Sequence, residues 1–452
     1  MNFEEPSLMI ERYKKKILYV LKNDFWSKLI KNVTTVIVGN GGSSIINFAV
    51  TFVMIRALGN TDYGVFLLAL QYMNLIDGIV NFQSWAGVIK YGSEAIVEKR
   101  DDKLAAIFKS GFIIDMVTAV LGAIIALLIL PTVTNLMHWD GNLELLTAIF
   151  SVEILFHLEG TSIGILRLYD RFKLTAIQSI LSAVLKLTLI GGYFLLGGRS
   201  LIVITILYVI TDIFKHLLLV FYALQVLHRG MGIRKVVRSN VKIIDGSFLR
   251  YTIWNNVSYT VDVPVKYFDV FIISLISVDM VAIYKVFKQM IQILSMLINP
   301  ISQAILPQFS ELVAQNRTAE ALRKVLKLRN VILVSGAAVA VGSLLLGKPI
   351  FTWILGSEYG ENLLLFEALF VVQIFLMSYT AIHPFFAALG VPRRDFLFTA
   401  ISNLVYMFVA FVTVKILGIY SIILAMAIQG TLLIWMKYDY AKKRFVKIMN
   451  NG

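Results

Sequence analysis

The sequence has 452 residues, of which 58% are hydrophobic and 15% are charged. Soluble proteins carry about a quarter charged residues, so this composition indicates a polytopic membrane protein and excludes a soluble enzyme. The chain contains no cysteine, which excludes disulfides, thiolate metal sites and cysteine catalysis.

The first predicted element is a basic arm over residues 1–32. Ile10, Tyr13, Ile17 and Leu21 follow one another at helical spacing among several lysines. This pattern predicts an amphipathic helix lying in the headgroup plane of the membrane. The alternative is a solvated basic tail.

Twelve apolar stretches follow the arm. Each approaches the roughly 20 residues that a helix needs to cross a hydrocarbon core about 30 Å thick. The first half contains Val33–Ala57, Gly64–Ile89, Ala105–Leu130, Leu143–Gly164, Leu174–Leu196 and Leu201–Leu227. The second half contains Phe248–Ser274, Val281–Leu306, Val331–Leu346, Leu363–Leu389, Phe396–Ile416 and Ile419–Met436.

The basic residues between these stretches predict the orientation of the chain. Of the 42 lysines and arginines, 33 lie in the arm, the tail and alternate loops, whereas the opposite loops hold only Arg56, Arg199, Lys348 and Lys415. Because basic residues near helix ends stay in the cytoplasm, both termini are predicted to be cytoplasmic. The net charge of +14 is therefore explained by topology and by contact with anionic lipid, and not by nucleic-acid binding.

The longest basic connection, residues 228–247, divides the predicted helices into an N-lobe over 33–227 and a C-lobe over 248–436, with a basic cytoplasmic tail over 437–452. The motif Phe-x-x-Thr-Ala-Ile opens the fifth stretch at Phe172 and the eleventh at Phe396. Two repeats of six helices are related by an axis along the membrane normal. The predicted fold class is therefore an all-α integral membrane protein, with twelve transmembrane helices in two six-helix lobes with pseudo-two-fold symmetry.

Polar residues inside the predicted helices indicate a binding cleft, because a charged side chain at the bilayer centre is costly and faces a cavity or a partner. At helical spacing these residues occupy one face of the first, second, seventh and eighth helices. The candidate residues are Asn47, Gln71, Asn74, Asp77, Asn255, Tyr259, Asp262, Lys266, Asp269, Lys285, Lys288 and Gln292. We expect a polar cleft between the lobes, lined by these four helices.

Lys266, Lys285 and Lys288 point to an anionic ligand, because they lie away from the cytoplasmic side and a lysine suits a diphosphate as a flexible point charge. In the alternative interpretation Lys266 pairs with Asp262 or Asp269, and the other two lysines reach the outer interface.

Other buried charges have two interpretations. Glu153 with His157, and Asp212 with Lys215 or His216, are spaced for a proton relay or for structural pairing within the lobe. Lys186 is expected to pair with Asp115 or with Glu153. The five histidines show no metal-ligand pattern such as His-Glu-x-x-His, so no metal site is predicted.

Enzymatic functions lack sequence support. No P-loop and no serine nucleophile elbow occurs, and the short outer loops leave little room for an active site. We therefore expect a transporter that needs no cofactor other than a coupling ion.

The segment between the first two helices reads Arg56-Ala57-Leu58-Gly59-x-x-x-Tyr63-Gly64-x-Phe66. It resembles the signature of Wzx-type polysaccharide flippases of the multidrug/oligosaccharidyl-lipid/polysaccharide exporter superfamily. Asp170-Arg171-Phe172 and Leu306-Pro307-x-x-Ser310-Glu311 are similar to further patterns of that family. The resemblance covers essentially the whole chain and implies two six-helix bundles around a central cavity that opens alternately to each side.

The implied cargo is an oligosaccharide repeat unit linked to a polyprenyl pyrophosphate such as undecaprenyl pyrophosphate, moved to the outer face of a bacterial inner membrane for polysaccharide synthesis, as in O-antigen pathways. Lys266, Lys285 and Lys288 are expected to bind the pyrophosphate, and Asn47, Gln71, Asn74, Asn255, Tyr259 and Gln292 the sugar hydroxyls. Asp77, Asp262 or Asp269 is expected to bind a coupling H⁺ or Na⁺. We expect a monomer that contacts membrane lipids and the polysaccharide polymerase machinery.

Three alternatives to this cargo were weighed. A multidrug exporter of the same superfamily would need an acidic, aromatic cleft. The superfamily's lipid II flippases usually have fourteen spans, and the twelve spans predicted here argue against that function. A membrane enzyme acting on lipid-linked sugars usually carries a large outer loop.

Overall fold

The structure is a computed structural model that describes residues 24–82, 84–241, 246–315 and 317–451, and these residues form helices and short connections without strands. Of the predicted arm, residues 1–23 lie outside the described part, as does Gly452 of the tail. The twelve predicted helices appear in the predicted order, and we number them span 1 to span 12.

The first six spans are built from seven helices. A long helix α1, Asp24–Val80, contains span 1 and most of span 2, and α2, Trp85–Val97, completes span 2. The other helices are α3 (Asp101–Met137, span 3), α4 (Gly141–Glu153), α5 (Glu159–Leu168), α6 (Phe172–Leu195, span 5) and α7 (Leu201–Gly230, span 6). Span 4 consists of α4, a 3₁₀ turn at Ile154–Phe156, and α5.

A short helix α8, Ile233–Arg238, lies between the two halves. Span 7 is formed by α9 (Ser247–Thr260) and α10 (Val263–Ser274), and span 10 by α14 (Leu363–Ser378) and α15 (Ile382–Ala388). The short helix α13 (Ser357–Glu361) precedes span 10. The other spans of the second half are single helices: α11 (Val278–Ala314, span 8), α12 (Thr318–Ile354, span 9), α16 (Pro392–Leu417, span 11) and α17 (Tyr420–Asn451, span 12).

Helix α1 bends sharply at Gly59, whose φ of 75° lies in the left-handed region that favours glycine. This bend separates spans 1 and 2, and it coincides with the glycine of the Arg56-Ala-Leu-Gly59 motif. Several helices, α1 and α12 among them, extend beyond the predicted apolar stretch, because hydropathy detects only the part of a helix that lies in hydrocarbon.

Nine helical segments within the described residues are long and apolar enough to cross a membrane, and the first of them, Gly41–Val97, contains both span 1 and span 2. Spans 7 and 8 are not among the nine. These two spans carry Asp262, Lys266, Asp269, Lys285 and Lys288.

Three apolar cores show how the two halves meet. The largest core contains residues of both halves, among them Phe66 and Phe150 with Tyr284 and Phe366, and lies toward the end of the molecule that holds the bend at Gly59. Toward the other end lie two smaller cores, one around Phe108 and one around Phe385, and the first of them includes Phe248 of span 7. The rings of Phe248 and Tyr251 also contact Tyr91 of span 2 there. The lobes are thus joined by one large core at the Gly59 end and by span 7 against span 2 at the linker end.

Polar contacts tie the lobes at the Gly59 end as well. Arg56 donates from Nη2 to the carbonyl oxygen of Ile354 at 3.3 Å. The Tyr359 hydroxyl donates to Asn60 Oδ1 at 2.8 Å. Both spans of the α1 hairpin therefore contact the C-lobe next to their connecting bend.

A substitution at Gly64 tests how closely the two lobes approach each other at this junction. A Cβ atom at Gly64 would overlap the carbonyl oxygen of Val278 in the C-lobe. We expect Gly64→Ala to cost about 1–3 kcal/mol, as overpacking does, and to lower the thermal midpoint of the purified protein. Gly191→Ala is the matched control, because nothing lies within 4 Å of the added methyl group there. Equal midpoints for the two variants would contradict the close approach of the lobes.

Candidate functional site: a charged cavity between the lobes

The main cavity of the described residues has a volume of about 590 Å³ and is lined by spans 1, 2, 4, 5 and 6 of the N-lobe and by span 8 of the C-lobe. A second cavity of about 280 Å³ lies in the C-lobe against spans 8 and 10. Gln292 contributes to the lining of both. The two cavities are therefore neighbours, and span 8 lies between them.

The structure brings six of the predicted site residues together in the main cavity: Asn47, Gln71, Asn74, Asp77, Lys285 and Gln292. Lys288 lines the second cavity. The other predicted residues, Asn255, Tyr259, Asp262, Lys266 and Asp269, are not among those that line either cavity.

Two hydrogen bonds cross from the N-lobe to span 8 within the main cavity. Lys285 donates from Nζ to Gln71 Oε1 at 3.0 Å. The Thr51 hydroxyl donates to Gln289 Oε1 at 3.1 Å. Because Gln71 is a neutral amide, this bond does not itself neutralise the positive charge of Lys285, which interacts at longer range with Asp269.

Span 7 departs from the predicted cleft, since it lines neither cavity. Its Val263 and Tyr267 pack against Gly78 of span 2 and close that side of the molecule. The structure replaces span 7 in the cleft with spans 4, 5 and 6. The predicted set of four lining helices is therefore corrected to spans 1, 2 and 8 with these three.

The polar residues of span 7 have partners elsewhere. Asp269 is buried and pairs with Lys288, and it accepts the Tyr284 hydroxyl at 2.8 Å. Asp262 accepts the side-chain amide of Asn403 at 3.1 Å.

Lys266 is exposed, and its Nζ lies 4.4 Å from the centre of the Tyr259 ring. The pairing alternative is thus realised for Asp269, with Lys288 in place of Lys266.

A chain of alternating carboxylates and imidazoles crosses the N-lobe side of the main cavity. Asp77 Oδ2 lies 2.6 Å from His157 Nδ1, and His157 Nε2 lies 3.7 Å from Glu159 Oε2. Glu159 Oε1 then lies 2.8 Å from His216 Nδ1, and His216 Nε2 lies 3.4 Å from Glu153 Oε1. This chain, which we call the acid–imidazole chain, joins spans 2, 4 and 6.

Two further ion pairs flank this chain. Lys186 Nζ lies 2.7 Å from Asp212 Oδ1 and 3.3 Å from the centre of the Tyr208 ring. Lys215 Nζ lies 3.7 Å from Glu159 Oε1. The expected pairing of Lys186 with Asp115 or Glu153 is corrected, because its ion-pair partner is Asp212.

Two helix interruptions position the acid–imidazole chain. Span 2 is interrupted between Val80, where α1 ends, and Trp85, where α2 begins, and span 4 is interrupted between α4 and α5, where His157 lies. The Asn81 amide donates to the His157 carbonyl oxygen at 2.9 Å and to Asp77 Oδ1 at 3.0 Å. These bonds link the two interruptions, and they satisfy backbone groups that have no water to bind in a membrane.

The interruption in span 4 explains why helical spacing misassigned its side chains. Glu153 and His157 are four residues apart and would lie on one face of a continuous helix. The 3₁₀ turn between them changes that relation, and Glu153 contacts His216 of span 6 instead. Asp115, which was expected to pair with Lys186, accepts the backbone N–H of Thr161 at 2.6 Å.

Comparison with known proteins identifies the family to which the chain belongs. The family described as "Polysaccharide biosynthesis protein" matches residues 29–313. The chain belongs to this family. The match confirms the resemblance to Wzx-type polysaccharide flippases that the motif around Gly59 indicated.

An inner membrane protein of Escherichia coli K12, YghQ, is 23% identical over 163 residues, which are 35% of this chain and 46% of that protein. The match thus spans slightly less than half the length of this curated relative. The chain described here, a member of the polysaccharide biosynthesis family, is a multi-pass membrane protein.

Solved structures show the same fold at low sequence identity. An inward-facing multidrug resistance MATE family transporter is 11% identical, with a TM-score of 0.70 over 91% of this chain and 96% of that one. The lipid II flippase MurJ in an inward closed conformation is 16% identical, with a TM-score of 0.66 over 92% and 89% of the two chains. The predicted two-lobed, twelve-span fold is confirmed; one of these two neighbours is a transporter and the other a flippase.

The ion pair of Lys186 and Asp212 makes a specific prediction about stability. Both side chains are largely buried, so removal of one partner leaves an uncompensated charge at a cost of about 3–5 kcal/mol. We expect Lys186→Met to lower the thermal midpoint strongly, and the double variant Lys186→Met with Asp212→Leu to recover most of the loss. A double variant less stable than the single one would show that the two residues do not act as a pair.

Proposed function

We propose that this protein is a flippase that moves a polyprenyl-pyrophosphate-linked oligosaccharide from the cytoplasmic to the outer face of a bacterial inner membrane. The observation that carries the proposal is a lysine, Lys285, whose hydrogen bond in a polar cavity between the two lobes goes to a neutral amide. Sugar and pyrophosphate need such a path across hydrocarbon, while the prenyl tail remains in lipid.

The pyrophosphate is assigned first to Lys285. Of the three predicted lysines it alone lines the main cavity, and its contact there is the amide of Gln71. Lys288 is the second contact, at the neighbouring cavity, although Asp269 compensates part of its charge. Lys266 has no role in this assignment, because it is exposed beside Tyr259.

The sugar hydroxyls are assigned to Asn47, Gln71, Asn74 and Gln292, which offer amide donors and acceptors from both lobes. Asn255 and Tyr259 are left out of the assignment, since they line neither cavity.

Coupling to H⁺ or Na⁺ remains part of the proposal. Among the three predicted acids Asp77 lines the main cavity, whereas Asp262 and Asp269 are bound by residues of the C-lobe. Handover of the cargo to polysaccharide polymerase machinery on the outer face would complete the pathway.

Alternating access requires the lobes to part at the Gly59 end. The contacts of Arg56 with Ile354 and of Asn60 with Tyr359 close this end, which the distribution of basic residues predicts to be outward. The described conformation is therefore assigned to the stage that receives cargo from the cytoplasmic side.

The assay that tests this function follows a pyrophosphate-linked oligosaccharide lipid in proteoliposomes. The fraction of glycan exposed to an external glycan-binding probe is measured over time, with protein-free vesicles as the blank. Faster exposure in the presence of the protein supports flipping. No protein-dependent exposure with a broad panel of glycan lipids and ion gradients would overturn it.

Lys285→Gln tests the pyrophosphate assignment. A hydrogen bond to a charged group contributes about 1.5–3 kcal/mol, so the apparent affinity for the glycan lipid is expected to fall roughly tenfold to a hundredfold. Lys266→Gln is the matched control, because it makes the same chemical change on an exposed face. Equal losses in the two variants would contradict the assignment to Lys285.

Neutralisation of all three lysines together is a broader test. We expect glutamine at positions 266, 285 and 288 to abolish flipping while the amount of protein in the membrane is unchanged. Full activity of this triple variant would rule out a pyrophosphate bound by these three lysines.

One observation favours a second candidate, a cation-coupled exporter of small cationic molecules. The main cavity is lined by four carboxylates, Asp77, Glu153, Glu159 and Asp212, and by Tyr63, Phe66 and Tyr208. Acidic and aromatic groups suit organic cations. Protein-dependent efflux of a cationic dye from vesicles, without movement of glycan lipids, would favour this function over flipping.

A further inference from the structure

We propose that His157, Glu159 and His216 form a binding site for one divalent transition-metal ion of the Zn²⁺ class. The site lies on the N-lobe wall of the main cavity, where span 4 is interrupted and meets span 6. This inference is independent of the cargo assigned above.

The three side chains have suitable geometry. One ligand atom from each lies within 4.8 Å of the others. Glu159 presents Oε1 to His216 Nδ1 at 2.8 Å and Oε2 to His157 Nε2 at 3.7 Å. Ligand atoms that share a tetrahedral Zn²⁺ at about 2.0–2.1 Å lie roughly 3.3 Å apart. Because the three ligand atoms lie up to 4.8 Å apart, shifts of up to about 1.5 Å would admit the ion.

Carboxylates behind both histidines support the assignment. The nitrogen of His157 that faces away from Glu159 contacts Asp77 Oδ2 at 2.6 Å, and the corresponding nitrogen of His216 lies 3.4 Å from Glu153 Oε1. Metal-bound histidines usually donate their second N–H to such a carboxylate, which fixes the tautomer and orients the ring.

The ion would also resolve a mismatch in hydrogen bonding. Both nitrogens of His157 and both nitrogens of His216 face carboxylate oxygens. A neutral imidazole has one donor and one acceptor nitrogen, so it matches only one of its two carboxylates. A proton on the second nitrogen removes this opposition of lone pairs, and a metal ion bound to that nitrogen and to Glu159 removes it as well.

The local charge agrees with a divalent cation. Lys186 and Asp212 pair with each other, which leaves three carboxylates, Asp77, Glu153 and Glu159, with Lys215 as their cation. With neutral imidazoles this group has a net charge of about −2, which one divalent ion neutralises. An uncompensated charge of this size is costly inside a membrane protein.

The ligand set indicates the class of metal. Imidazole favours Zn²⁺, Cu²⁺ or Ni²⁺, whereas Mg²⁺ and Ca²⁺ prefer sites made of oxygen ligands. Three protein ligands leave a coordination position open to water or another ligand, and all three side chains line the cavity, so this position is accessible.

The test uses metal alone and the full-length protein, purified with a tag that contains no histidine. Because the chain has no cysteine and only five histidines, metal binding by other soft ligands is limited. Co²⁺ is added at neutral pH, its visible absorption is recorded, and Zn²⁺ is used to displace it. We expect about one equivalent of bound metal per chain, with a spectrum typical of nitrogen and oxygen ligands.

Variants separate this site from surface binding. His157→Asn and His216→Asn are each expected to abolish stoichiometric binding, and Asp77→Asn to weaken it about 10- to 100-fold, as second-shell changes do. The matched control is His138→Asn. His138 is exposed at a helix end with φ of 53°, a conformation that asparagine tolerates, so this variant should bind as the parent does.

Glu159→Gln provides a second route if a histidine variant fails to fold, as judged by size-exclusion chromatography. Retained stoichiometric binding in Glu159→Gln and in the folded histidine variants would overturn the proposal, since the ion would then lie elsewhere. Absence of saturable binding by the parent protein would also overturn it, and would show that the chain takes up protons only. Neither result depends on the flipping assay.

Discussion

The cost of placing charge in hydrocarbon is the constraint on which this structure depends. Lys186, Asp212, Lys215 and Glu159 all lie in membrane-spanning helices, where an unpaired charge costs at least roughly 2.5–3.5 kcal/mol. Each finds its partner on a different span: Lys186 meets Asp212, and Lys215 meets Glu159. The polar groups thus bind spans 4, 5 and 6 together and hold open a cavity that apolar side chains would fill.

The same constraint acts on the backbone at the two interrupted helices. Peptide groups freed where spans 2 and 4 are interrupted need partners, because hydrocarbon offers none. Asn81 and Asp115 supply these partners with bonds of 2.9 Å to the His157 carbonyl oxygen and 2.6 Å to the Thr161 N–H. Interruption of span 4 then turns His157 and Glu159 toward span 6, a direction that a continuous helix would not give both residues.

Hydropathy and helical periodicity predicted most of the fold and half of the cleft. The number and order of the spans follow from segment length, and the stripe on spans 1 and 2 correctly placed Asn47, Asn74 and Asp77 in one cavity. Periodicity identifies which face of a helix is polar, but it leaves open which neighbour that face meets. Span 7 illustrates this limit, since its Asp269 faces Lys288 of span 8 and not the cavity.

The acid–imidazole chain was predicted only in part, for a related reason: Glu153, His157 and His216 were named as proton-relay candidates, but Glu159 and the contacts across spans were not. Its members come from spans 2, 4 and 6, and the contacts of His157 with Asp77 and of His216 with Glu159 join residues 80 and 57 positions apart. No local motif encodes such pairs. The nearest signal in the sequence is His157-x-Glu159, which is too short to indicate a site until the interruption of span 4 is known.

The bond between Lys285 and Gln71 connects this electrostatic arrangement to motion. It crosses the gap between the lobes, so it has to break when they separate, and breaking it exposes a charged donor in a cavity. A bound anion would replace the amide of Gln71 as the partner of Lys285 and would lower the cost of separation. Because an anion interacts more strongly with an ammonium group than a neutral amide does, an anionic cargo of the proposed kind would favour parting of the lobes through Lys285. The enclosed charges of spans 4, 5 and 6 are paired within the N-lobe, and they can move with it as a unit while interlobe contacts such as this one exchange partners.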